Sequence, residues 1–240
     1  MQNRYAGDVG DFGKLGLLRG LENTGLCVGV NWYLVEDESH NNDGKHIGYL
    51  NDKQYIGCDN ELLRLLSAMV LQENRSVQQL ERLGALKTKQ YYHKFLPLPK
   101  EIKSRSRKEW HNEALNAMTG CDLVFLDPDN GLLPKSVGMG SDKSVKYVLP
   151  EEIIDYYKAG YSVVFYSHRT REQLEVYLER FTKLFDAKEL DGATIKGISF
   201  KRGTIRDYFF LVHEKHADKI VSCLEVFVQG KWGQHFSMIL

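Results

Sequence analysis

Residues 120–132 read GCDLVFLDPDNGL. Positions 123–126 are bulky and apolar, the character of a short strand buried on both faces, and the run breaks at Asp127-Pro128, a dipeptide that starts turns. In open α/β sheets ligands bind outside the carboxyl ends of the strands, so Asp127 stands where a functional group belongs, on a strand rigid enough to position it. Turn chemistry competes as an explanation, because Asp-Pro and Asn130-Gly131 both form turns without any function.

Outward from this point, strand and helix patterns alternate. Upstream, CVGVNWYLV (residues 27–35) has the continuous β-branched and aromatic character of a first parallel strand. Before it lies an amphipathic helix with Phe12, Leu15, Leu18 and Leu21 at helical spacing and Asp11 as its cap. Residues 36–58 are polar and rich in glycine and asparagine and read as a long loop with room for one short strand. Helical patterns follow at 60–72 and 76–83, then a strand at 90–95 and a basic helix at 104–118. Downstream, Pro150 opens a helix through 158, and a strand at 161–166 and a helix at 171–184 follow. An antiparallel pair (193–200 with 208–213), a helix at 215–229 and a strand at 234–240 complete the chain. This order predicts a single α/β domain over residues 1–240 with a helical insertion at about 59–119. Its three-layer sandwich would hold a mostly parallel sheet with antiparallel strands near the C-terminus.

Lysine plus arginine and aspartate plus glutamate each total 32, so the formal charge is zero and any polyanion site must be a local patch. No apolar stretch approaches the roughly 20 residues needed to span a bilayer, and the N-terminus carries no hydrophobic signal core. A cytoplasmic protein with no membrane partner is the expectation. Cys27, Cys58, Cys121 and Cys223 are dispersed without zinc-like spacing, which predicts reduced, structural thiols. His40, His46, His168 and His235 show no ligand spacing either, so no structural metal is expected.

Two clusters carry candidate chemistry. In NRYAGDVGDFGK (residues 3–14), Asp8, Asp11 and Lys14 are three apart and would share a helix face, in a pattern that is not a phosphate loop. Capping acids and a surface lysine are the competing explanation. Basic residues concentrate at 100–111, 167–172 and 201–206; the first run combines Lys108 with Trp110, a pairing able to grip a phosphate and stack a base. His168 and Arg169 in the second run are further candidate substrate contacts.

With those residues in place, the chain resembles class I S-adenosylmethionine-dependent methyltransferases of Rossmann-like fold. More narrowly, it is remotely similar to the large-subunit ribosomal RNA adenine-N6 methyltransferases. Arg4-Tyr5 and AGDVGDFGKL occupy places similar to that family's N-terminal stretch, Lys14 matches its lysine with Leu15 in place of the following histidine, and FLDPDNG stands at its D-P-P-Y motif. The resemblance implies methylation of an amino group, with a nucleic-acid base flipped into the cleft. Asp127 would accept a hydrogen bond from the target amine, flanked by Asp129 and Asn130. Asp8, Asp11, Lys14 and Asp37 would serve the cofactor side, and Arg4 and Tyr5 the substrate side. Asp129 and Asn130 replace the family's second proline and aromatic residue, and LVEDESHNNDGK stands where its glycine-rich cofactor loop belongs.

Two other classes remain open. Asp8, Asp11, Asp127 and Asp129 could converge on Mg²⁺ or Mn²⁺, with Lys14 stabilising a developing phosphate charge, as in a metal-dependent nuclease or phosphohydrolase. Alternatively, the domain is a non-catalytic nucleic-acid-binding module gripping phosphates through Arg105, Arg107 and Lys108.

Overall fold

A computed structural model describes residues 1–38, 44, 46–99, 106–169 and 172–240. His40, Arg105 and the start of the basic run lie outside the described residues, as do the expected first residues of the helices at 104 and 171.

The chain opens with α1 (Val9–Glu22) and β1 (Val28–Asn31), followed by α2 (Asn60–Leu71), α3 (Val77–Arg82) and β2 (Tyr91–Tyr92). Next come α4 (Arg107–Ala117), β3 (Leu123–Leu126), β4 (Gly131–Leu132), β5 (Tyr147–Val148), α5 (Pro150–Lys158) and β6 (Ser162–His168). The chain ends in α6 (Leu174–Phe185), β7 (Thr194–Arg202), β8 (Thr204–Val212), α7 (Glu214–Gln229) and β9 (Phe236–Met238). Local chemistry accounts for the helix starts. Asp59 caps α2 through the Leu62 amide at 2.9 Å, Ser106 and Glu109 form a reciprocal capping box on α4, and Pro150 enters α5 in its first turn. The cap of α1 is Asp8, which accepts from the Asp11 amide, so the expectation of Asp11 as cap is corrected by one turn.

The described strands form a seven-stranded sheet in the order β2-β1-β3-β6-β8-β7-β9 and a separate two-stranded sheet, β4-β5. β2, β1, β3 and β6 are parallel; β8 runs antiparallel between β6 and β7, and β9 pairs antiparallel at the edge. The expected mostly parallel, Rossmann-like α/β sheet with antiparallel strands near the C-terminus is therefore present. Helices cover both faces. Phe12 and Leu15 of α1, Leu66 of α2, Leu80 of α3 and Leu224 of α7 pack with Val30, Phe125, Val164 and Phe210 on one face. On the other, Trp110 of α4, Tyr156 of α5 and Phe181 of α6 pack with Val124, Leu126, Phe165 and Phe209. Alternate side chains of one strand thus serve two cores, as the pleat requires.

β7 and β8 are joined at Gly203, whose φ of +70° is a backbone conformation that glycine adopts without a Cβ penalty. This reversal matters for the site. Because β8 runs against β6, its first residues arrive at the edge where β3 and β6 end, and Arg206 pairs with His168 and Tyr208 with Tyr166.

The seating of α1 depends on Gly16. A Cβ there would penetrate the ring of Trp232, which is held between Phe12 (centroids 5.0 Å apart) and Phe227 (5.2 Å). Alanine would gain about 1 kcal/mol of helix propensity. The overpacking should outweigh it, leaving Gly16→Ala destabilised by about 1–3 kcal/mol. A urea denaturation midpoint at or above wild type would refute this packing.

Candidate functional site

Asp127 is the first residue after β3. Its amide donates to the Asn31 carbonyl at 3.0 Å, continuing the ladder with β1, and this fixes the carboxylate at the mouth of the sheet. From the other side α1 delivers Lys14. Its ammonium lies 2.6 Å from Asp11 Oδ1 and 2.7 Å from Asp127 Oδ2, so one buried lysine ties helix to strand. The three-residue spacing of the motif is what aligns the group. Asp8 caps the helix, Asp11 Oδ2 accepts from the Gly7 amide at 2.9 Å, and Lys14 sits one turn further on. Lys14 also lies 5.3 Å from the Trp32 ring centroid, a cation–π contact.

Around these groups lies a cavity of about 430 Å³. Its walls come from the N-terminal segment, α1, the Asp127–Asn130 turn, Glu38, Lys146 and the adjoining ends of β6 and β8. Asp8, Asp11, Lys14, Asp127, Asp129, Asn130, Tyr5 and His168, all expected from the sequence, line it together. Sequence reasoning missed Arg206, Tyr166, Tyr208, Thr204, His46 and Lys146, which line it too. The signal for four of them, Tyr166, Thr204, Arg206 and Tyr208, was the alternation along β6 and β8, but it becomes readable only once the antiparallel pairing is known.

The electrostatics follow from burial and pairing. Burial pushes the Asp127 carboxyl above its ordinary range, with Lys14 and the Met1 ammonium opposing. Burial would lower Lys14, but Asp11 and Asp127 outweigh it and hold the ammonium above its usual value. Two carboxylates beside one ammonium keep the lysine protonated. Asp8 is likewise raised by burial, against the opposing charge of Arg206. Asp129 is buried as well, yet the Met1 ammonium at 2.7 Å, Gln2 at 2.6 Å and Lys146 pull it below the usual range. The phenols of Tyr166 and Tyr208 are driven upward by burial and remain protonated donors.

Oxygens at the cavity retain bonding capacity. Asp127 Oδ1 has no hydrogen-bond partner among the described residues, since Lys14 takes Oδ2 alone. The Tyr208 hydroxyl is buried and also lacks a partner. An unpaired buried hydroxyl costs about 1–3 kcal/mol.

Other expected site residues are placed elsewhere. Trp110 is fully buried, its indole donating to the Lys94 carbonyl at 2.9 Å and its ring packed edge-on against Tyr33 and Tyr92. It is a core residue and offers no stacking surface. Arg169 forms a two-pronged ion pair with the buried Asp207, both bonds at 2.8 Å, and so supports β8 instead of contacting a substrate. Arg107 grips Glu152 at 2.6 and 2.9 Å, and Lys108 is exposed and outside the cavity lining. Asp37 is exposed, accepts from the Arg4 amide at 3.2 Å and does not line the cavity; Glu38 takes that place, paired with Lys146. Arg4 stands beside the cavity, donating to the Glu38 carbonyl at 2.6 Å and the Tyr5 hydroxyl at 3.0 Å.

The four aspartates expected to converge on a cation do not form such a cluster. Lys14 occupies the space between Asp11 and Asp127, and Asp129 turns to Met1 and Gln2. Among the described residues no three His, Cys, Asp or Glu side chains are placed to hold a metal ion.

The exit of β1, where the sequence lacks a glycine-rich loop, is closed by the protein itself. Tyr33, at φ +46°, is fully buried with its hydroxyl on Glu152 at 3.1 Å. The Met1 amine donates to the Tyr33 and Asp127 carbonyls, both at 3.0 Å, and the Val35 amide returns to the Met1 carbonyl at 2.9 Å. No helix among the described residues is long and apolar enough to cross a membrane. No known protein family matches the chain, and comparison with curated proteins finds no match.

Proposed function

We propose that the cleft catalyses methylation of an amino group, on a nucleic-acid base, with S-adenosylmethionine as donor. The observation that carries this reading is Asp127 at the end of β3, with Oδ2 fixed by Lys14 and Oδ1 unpartnered at the cavity. A carboxylate oxygen so held accepts an N–H of the acceptor amine, aims the nitrogen lone pair, and disperses positive charge developing on nitrogen. Lys14 prevents the carboxylate from turning away. Because burial raises Asp127, the acceptor role strengthens as pH rises through its folded pKa, which lies above the ordinary aspartate value.

The donor cannot use the closed exit of β1, but the cleft's own lining suits it. Asp8 and Asp11 provide carboxylates for its ammonium, Glu38 an acceptor for ribose hydroxyls, and Lys146 a cation for its carboxylate. When bound, the cofactor supplies an electrophilic methyl group.

Calorimetric titration of S-adenosylmethionine and S-adenosylhomocysteine tests this directly. Micromolar binding is expected, weakened roughly tenfold or more by Glu38→Ala through loss of charge-assisted hydrogen bonds. Absence of heat at millimolar ligand would remove methyl transfer as the function.

A further inference from the structure

Two part-buried arginines in this protein clasp a carboxylate with a nitrogen pair. Arg107 clasps Glu152 through two nitrogens, and Arg169 clasps Asp207 in the same way. Arg206 differs. One nitrogen, Nη1, donates to the Arg202 carbonyl at 2.8 Å, while Nη2 stands 3.7 Å from Asp8 Oδ2, beyond hydrogen-bond reach, and Nε has no partner among the described residues. The side chain is only 12 % exposed, and the residue lines the cavity. A largely buried guanidinium with two nitrogens unbonded is one prong pair short of satisfied.

Its neighbours add donors of the same kind. Tyr208, two residues along β8 and on the same face, has the buried, unpartnered hydroxyl described above, and Thr204 lines the cavity two residues in the other direction. His168 lies directly opposite Arg206 in the β6–β8 register. The helix side leaves room for Arg206 because Gly10 has no side chain; a Cβ there would come within 2.5 Å of Nε. The opposing charges are Asp8 and, one turn away, Asp11, which Lys14 neutralises.

We propose that Arg206, Tyr208 and Thr204 form an oxyanion subsite on the β8 side of the cleft that binds a phosphate group. A phosphate fits this set better than a carboxylate. The guanidinium edge takes two of its oxygens in parallel, and further oxygens remain for the hydroxyls, whereas a carboxylate is exhausted by the guanidinium. The assignment of that phosphate to the substrate rests on the nucleic-acid reading of the function; the anion subsite itself does not.

The test is calorimetric titration of inorganic phosphate at constant ionic strength, using the whole chain and no cofactor. Wild type should bind saturably in the millimolar range. Arg206→Gln should weaken binding about tenfold or abolish it, since a charge-assisted pair is removed. Tyr208→Phe should weaken it about threefold while leaving thermal stability unchanged or slightly raised, because the hydroxyl has no partner to lose. If circular dichroism shows Arg206→Gln unfolded, Arg206→Lys, which keeps the charge but not the planar fork, replaces it and should also bind more weakly. No saturable heat with wild type, or wild-type affinity retained in the arginine variant and in Tyr208→Phe, overturns the subsite. Comparing adenosine 5′-monophosphate with adenylyl-3′,5′-adenosine distinguishes a free nucleotide from a nucleic-acid backbone as the source. Phosphate binding without S-adenosylmethionine binding would leave the subsite standing and remove methyl transfer, and the converse result would do the opposite.

Discussion

Replacing Lys14 by methionine should cost about 3–5 kcal/mol of folding stability, the range expected when one partner of a buried ion pair is removed. Methionine retains an unbranched apolar stem of similar length, so the loss reports the ammonium and its contacts, including those with Trp32 and Met1. Asp11 and Asp127 would then face each other in a water-poor space without the ammonium that now lies within 2.7 Å of both. The pH dependence gives the effect a signature. In the wild type Lys14 is held above its ordinary value, so its contribution is complete at neutral pH and is lost only as pH rises through that raised value. In the variant Asp127, already raised by burial, loses its main counter-charge and rises further. A carboxyl with a raised folded pKa stabilises while protonated, so the variant's deficit should be smaller at about pH 5 than at about pH 8. Adding Asp127→Asn should recover part of the loss. Equal urea deficits at both pH values, or one below about 1 kcal/mol, would show that the triad is not a desolvated charge cluster.

That triad also explains which parts of the site could be read in advance. Asp127 was legible because a short apolar strand followed by Asp-Pro is a local pattern with one spatial meaning in an α/β sheet. Asp8, Asp11 and Lys14 were legible for the same reason, since their spacing within one helix is set by backbone geometry alone. Trp110 misled because its sequence neighbours are cations. Its helical partners, Ala114 and Met118, carry the better signal, for at spacings of four and eight they place it on the buried face of α4. Arg169 misled because its partner, Asp207, is 38 residues away across a strand pairing that no local pattern specifies. Arg206 was seen within a basic cluster but could not be placed. Its position depends on Gly203 reversing the chain and on the register that sets Arg206 opposite His168. The overall sheet was legible from alternation and apolar runs, whereas the wall of the cleft formed by β8 is a product of tertiary pairing.

The closed exit of β1 bears on the same distinction. A chain that seats a ligand over its first strand needs glycine there so that the backbone can approach it. Here Trp32, Tyr33 and Leu34 are all fully buried, and residues 1 and 2 pack over them, which moves the accessible chemistry toward β3, β6 and β8. At β1 itself the buried Asp129 carboxylate is held by Met1 and Gln2. Asp127, Arg206 and Tyr208 line the cavity and keep bonding capacity, Asp127 directly after β3 and the other two on β8, on either side of β6.

Asp127→Asn should therefore abolish turnover far more than it disturbs the fold. Lys14 offers only N–H donors, so the asparagine must turn its carbonyl oxygen toward the ammonium in place of Oδ2. Its amide nitrogen then takes the position of Oδ1 and presents hydrogens to the cavity. A substrate amine approaching that position meets a donor where an acceptor is needed. The expected loss in kcat for methyl transfer is about 10²–10⁴-fold, the range for removing a positioned acid–base or charge-stabilising group. Stability should change little, because Asp11 still neutralises Lys14 at 2.6 Å and an excess buried charge has been removed. Binding of S-adenosylmethionine should persist, which separates a lost reaction from a lost cofactor site. The measurement is single-turnover transfer of labelled methyl to an oligonucleotide acceptor, with cofactor affinity and urea stability determined on the same preparation. Full activity in Asp127→Asn would mean that the carboxylate serves only to hold α1 against the sheet. Lost activity with intact cofactor binding and folding would make Asp127 the residue that addresses the acceptor.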